Sequence, residues 1–160
     1  MISQIMAILE EIPLGRYRIE IGLLLRKTML TSCMLFNSEV WHCITEKHIK
    51  QLEKVDEQLI RRILCAHAKT PLEMLYLETG ALPTRYTLSY RRLLYLHTIL
   101  HRNENELTKK VYLAQKESPV KGDFYHLVKD DMDLVRLSEQ SISQMSKSEF
   151  IPVKTQRITQ

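Results

Sequence analysis

Residues 35–64 read LFNSEVWHCITEKHIKQLEKVDEQLIRRIL, a short polar and aromatic corner followed by apolar residues at Ile49, Leu52, Val55, Leu59 and Ile63. That spacing of three and four puts all five on one side of an α-helix, with Glu46, Lys50, Glu53, Lys54 and Glu57 outside. Thr45 suits an N-cap, and Arg61 and Arg62 close the segment where the helix dipole favours cations. A helix this long and one-sided has to bury its stripe against neighbours, so the chain is committed to packing helices.

The same periodicity recurs on both sides of this segment. Ile2, Ile5, Met6, Leu9 and Ile12 predict a first helix, stopped by Pro13 and Gly15. Residues 16–36 predict a second, apolar on several faces and therefore central, broken by Asn37, Ser38 and Glu39 beside the large anchor Trp41. Thr70-Pro71-Leu72-Glu73 has the form of a capping box with proline at the first helical position, and Gly80 fits the left-handed residue past the helix end. A fifth helix over 83–102 carries Tyr86, Tyr90, Leu93, His97 and Leu100 on one face, with Arg85 and Arg92 on another. Residues 106–115 and 124–135 complete the set. Only four Gly and five Pro in 160 residues argue against a turn-rich β fold. The expectation is an all-α fold, an irregular bundle of five to seven helices. It comprises a helical domain over 1–136 and a weakly ordered C-terminal tail over 137–160, frayed from Pro152.

A formal charge of +4 and a pI near 9.0 admit nucleic acid or an acidic partner without demanding either. The distribution is more pointed. Residues 85–116 hold Arg85, Arg91, Arg92, Arg102, Lys109, Lys110 and Lys116 against only Glu104 and Glu106. Arginines interleaved with Tyr86, Tyr90 and Tyr95 could neutralise phosphates while the rings stack on unpaired bases. The same pattern also fits tyrosines in the core and arginines in ordinary surface pairs. Arg61 and Arg62 share that ambiguity.

Catalytic and metal chemistry finds little footing. Cys33, Cys43 and Cys65 have no paired or zinc-knuckle spacing, so they read as reduced thiols, Cys33 as a packing residue. His97 and His101 have the i, i+4 spacing of a ligand pair, but no third ligand accompanies them, which favours a packed His97 beside a surface His101. His42, His48 and His67 are scattered, without a nucleophile and base arrangement. Asp130-Asp131 sits in a helical pattern and reads as a solvated helix face. No apolar run reaches membrane-spanning length, and MISQIMAILEEI lacks the form of a secretory leader, so an intracellular protein, cytoplasmic or nuclear, is expected.

Three ordered blocks resemble the C-terminal region of reverse transcriptases from non-LTR retrotransposons. The corner Phe36-Asn37-Ser38-Glu39-Val40-Trp41 is similar to their Tyr-Gly-Ser-Glu-x-Trp corner, with Asn37 in place of glycine. The helix end Arg61-Arg62-Ile63-Leu64 resembles their Leu-Arg-Arg-Ile helix end, and TPLEMLYLETGALPTRY with RRLLYLHTIL resembles the region behind the thumb. The resemblance covers about two-thirds of the chain. It implies a thumb and post-thumb linker that contacts RNA or an RNA–DNA template–primer within a larger polyprotein.

The polymerase chemistry of that family uses an aromatic-x-Asp-Asp turn to hold two metal ions, and that motif is absent here. The chain therefore reads as a noncatalytic fragment, not an enzyme, with no cofactor. The abrupt helical start at Met1 agrees with a fragment. The residues expected at phosphates are Arg85, Arg91, Arg92, Arg102, Lys109 and Lys110, with Arg61 and Arg62 second. The alternatives are a helical protein-interaction or self-association module without a nucleic-acid role, or a nonfunctional remnant.

Overall fold

The structure, a computed structural model, describes residues 1–13 and 15–146, Arg16 by its backbone alone. Among them every regular element is helical, as the sequence predicts. The elements are α1 Ile2–Glu10, α2 Arg16–Leu25, a π-helical turn Arg26–Leu30, α3 Thr31–Met34, a 3-10 turn Ser38–Val40 and α4 Glu46–Ile63. They continue with α5 Leu72–Thr79, α6 Thr84–Leu100, α7 Leu107–Glu117, α8 Phe124–Val135 and α9 Glu139–Gln144. Because α2, the π turn and α3 run on continuously, these make eight helices, one more than the upper expectation. The chain groups into two compact units. One comprises Met1–Phe36 with Thr45–Arg85, the other Asn37–Ile44 with the chain from Tyr86 onward.

The first unit packs α1 on α2 and α2 on α4. Its core is Ile5 and Leu9 of α1, Leu30, and Leu59 and Ile63 of α4, the stripe that the spacing of residues 49–63 predicts. Gly22 permits the close approach of α2 and α4: a Cβ there would lie 2.9 Å from Ile63 Cγ2. The expected helix over 16–36 is present but not uniform. Thr28 Oγ1 donates to the Leu24 carbonyl at 2.9 Å and Ser32 Oγ to the Lys27 carbonyl at 3.3 Å. Hydroxyls competing for helix carbonyls loosen the backbone ladder, and here Thr28 lies within the π turn and Ser32 just beyond it. The helix gives way at Asn37, which adopts the left-handed conformation at φ 52°.

A buried carboxylate organises the far side of this unit. Asp56 on α4 accepts from Arg26 Nε and Nη2, each at 2.6 Å, from Tyr76 Oη at 3.3 Å and from Thr84 Oγ1 at 3.2 Å. Arg26 also donates to the Leu82 carbonyl at 3.1 Å. Burial, then the neighbouring Asp56 charge, pushes the Tyr76 phenol well above its usual range, so it stays a donor to that carboxylate. The expected capping box at Thr70 is not made. α5 begins at Leu72 with Pro71 as its cap, and the Thr70 carbonyl accepts from Arg61 Nη1 at 2.8 Å instead. Gly80 ends α5 at φ 60°, as expected.

The second unit is built on Leu93, Leu96 and Ile99 of α6, Tyr112 of α7, Val128 of α8, and Leu137 and Ile142. Phe124 meets Tyr95 edge-on at a centroid distance of 5.6 Å. The Cys43 N–H donates to the Gly122 carbonyl at 3.3 Å, tying the segment behind the corner to the loop before α8. Order continues past the expected boundary at 136. Ser138 Oγ accepts from the Ser141 N–H at 3.1 Å to start α9, Ile142 is fully buried, and His97 Nε2 donates to the Met145 carbonyl at 2.7 Å. The rest of the expected tail, residues 147–160, and the fraying expected from Pro152 lie outside the described residues.

Candidate nucleic-acid interface

The cations singled out in the sequence occupy unlike environments. Arg92 faces inward. Its Nε and Nη2 donate to Asp131 at 2.6 and 2.9 Å, and the two side chains are 7% and 6% exposed. This paired fork holds α6 to α8 and leaves no guanidinium face for a phosphate. It also corrects the reading of Asp130-Asp131 as a solvated face: Asp130 is exposed, but Asp131 is buried.

Arg85 is engaged by α4. It donates through Nε and Nη2 to Glu53 at 2.8 and 3.1 Å, and through Nη2 to Glu46 at 2.7 Å. The same contact holds the Glu46 carboxyl below its usual range. Arg91 stands 3.7 Å from Glu39 of the corner, and Arg102 reaches Glu106 and Thr108, each at 3.2 Å. Lys109 donates to the Leu100 and Arg102 carbonyls at 3.2 and 3.1 Å, closing the C-terminal end of α6. Arg61 pairs with Glu57 at 2.8 Å and donates to the His67 and Thr70 carbonyls, fastening the loop before α5. Arg62 and Lys110 are exposed, with no side-chain hydrogen bond or ion pair among the described residues.

The interleaved tyrosines are not a free stacking platform. Tyr90 and Tyr95 pack against the core of the second unit, and Tyr86 is half-buried. Partial burial pushes the Tyr90 phenol upward.

Sequence reasoning underrated the polar face of α4. Its four acids are all taken by arginines: Glu46 and Glu53 by Arg85, Asp56 by Arg26, and Glu57 by Arg61. Lys47, Lys50 and Lys54 are exposed and, like Arg62, have no side-chain hydrogen bond or ion pair among the described residues. Their helical spacing was visible in the sequence. The capture of the intervening acids by Arg26 and Arg85, 30 and 32 residues from their partners, was not.

Two other features bear on chemistry. In the second unit a cavity of about 520 Å³ is lined by Val40, Tyr95, Leu107, Val111, Tyr112 and Phe124 among others. His97 is buried and His101 exposed, as their spacing suggested, with ring centroids 4.2 Å apart. Cys33 departs from expectation: it is exposed, because α3 turns it outward, and all three cysteines are free and exposed. No group of three or more His, Cys, Asp or Glu side chains converges as a metal site among the described residues. No helix among them is long and apolar enough to cross a membrane. No protein-family model, curated protein or solved structure matches the chain.

Proposed function

We propose that this chain is a noncatalytic helical part of a polymerase similar to those of non-LTR retrotransposons, from the thumb and post-thumb linker, and that it holds an RNA–DNA template–primer. The carrying observation is the corner at residues 36–41. Asn37 stands where the resembled motif has glycine, and it adopts the left-handed backbone that glycine most readily supplies. The Gly80 helix end in the third resembled block is left-handed as well, at φ 60°. The net positive charge supplies the attraction to phosphate, and exposed cations such as Arg62 and Lys110 supply contacts.

The test is titration of the full chain into a labelled RNA–DNA hybrid at low salt. Binding with a micromolar dissociation constant is expected, and absence of binding overturns the proposal.

A second reading, a self-association or protein-interaction module, is favoured by one observation. Leu107 and Val111 of α7, both lining the cavity of the second unit, are 77% and 47% exposed.

A further inference from the structure

We infer that the outward face of α4, carrying Lys47, Lys50, Lys54 and Arg62, is the surface that follows the phosphates of an RNA–DNA duplex. The inference rests on the nucleic-acid reading above and moves its main contact from α6 and α7 to α4. At 3.6 residues per turn, Lys47, Lys50, Lys54, Gln58 and Arg62 fall within an arc of about 120°, opposite the buried Asp56. From Lys47 to Arg62 the stripe extends about 23 Å along the helix, long enough to meet several successive phosphates.

Charge accounting distinguishes this face from the rest of the basic residues. α4 reads as nearly balanced in sequence because acids alternate with its cations. In the folded chain each of those four acids is held by an arginine, at 2.6–2.8 Å from Arg26, Arg61 or Arg85. Arg26 and Arg85 come from outside α4 and bring two positive charges to Asp56, Glu46 and Glu53, while the exposed lysines enter no ion pair among the described residues. Gln51 and Gln58, also exposed, add neutral donors of the kind that bond phosphate oxygens without reading sequence. By contrast, Arg85, Arg92, Arg102 and Lys109 are committed to carboxylates or helix carbonyls. The complementary occupant is a regular array of negative charge, and a phosphate backbone is such an array.

The test uses the full chain and a labelled RNA–DNA hybrid over a salt series, with two variants of comparable charge change. Lys47→Gln/Lys50→Gln/Lys54→Gln is expected to weaken binding at least tenfold and to reduce the slope of log affinity against log salt by about three. Lys69→Gln/Lys121→Gln/Lys129→Gln, which removes three exposed lysines outside α4, is expected to stay within about twofold of wild type. Circular dichroism of the same samples verifies that helix content is retained, since glutamine is a good helix former at exposed positions. If wild type binds and the triple variant binds equally well with an unchanged slope, the assignment to α4 is overturned while the broader reading stands. If wild type does not bind at all, both fall.

Discussion

Arg92 and Asp131 show how far a side chain's role depends on a partner distant in sequence. The two are 39 residues apart, and neither local charge nor helical spacing reveals that they meet. A basic residue in a basic stretch reads as surface, and an Asp-Asp pair reads as solvated, until α6 and α8 pack together. Removing one member of a buried pair strands the other. Arg92→Met should therefore cost about 3–5 kcal/mol in urea denaturation, and Arg92→Met/Asp131→Leu should recover most of that loss. A single variant as stable as wild type would show that the pair contributes nothing to the second unit. Asn37 is the opposite case. Its left-handed backbone agrees with its place in the resembled corner, where glycine stands, because Asn is the other residue that readily tolerates positive φ. Cys33 was misread because thiols are usually buried, whereas the π turn before α3 resets the helical phase on which its facing depends.

Helices were legible where an apolar stripe and a clear stop coincide. α4 begins after Thr45, and α8 occupies Phe124–Val135 as the spacing predicts. Elements governed by long-range contacts were not. α9 is six residues long in a Ser-rich segment, and its order comes from Ile142 entering the core and from His97 capturing Met145, both remote in sequence. The capping box at Thr70 had the right residues, but the Thr70 N–H that Glu73 would accept from donates instead to the His67 carbonyl at 3.0 Å. The α2–α4 contact gives a prediction at this scale. Gly22→Ala removes a poor helix former, a change worth about 1 kcal/mol in favour of an open helix. Here the new methyl would press on Ile63, a stiff β-branched side chain only 2% exposed, so net destabilisation of about 1–2 kcal/mol is expected from overpacking. A rise in the thermal midpoint would mean that the two helices separate without cost.

At the scale of the whole chain, the all-α class followed from periodicity and from the scarcity of glycine and proline, while the distribution of usable charge did not. Formal charge placed the basic excess in residues 85–116. The fold reassigns it, because Arg26 and Arg85 from outside α4 pair with Asp56, Glu46 and Glu53 among that helix's lysines. Self-association through the exposed apolar side of α7 makes a separate prediction: light scattering after size exclusion would give a dimer whose mass is insensitive to salt, and Leu107→Gln/Val111→Gln would dissolve it. Phosphate binding behaves in the opposite way, weakening as salt rises. The most direct measurement is therefore the salt dependence of full-chain affinity for an RNA–DNA hybrid. Four cations on α4 predict a log–log slope of about −3 to −4. A slope near zero, or no binding at low salt, would contradict a nucleic-acid role for this chain.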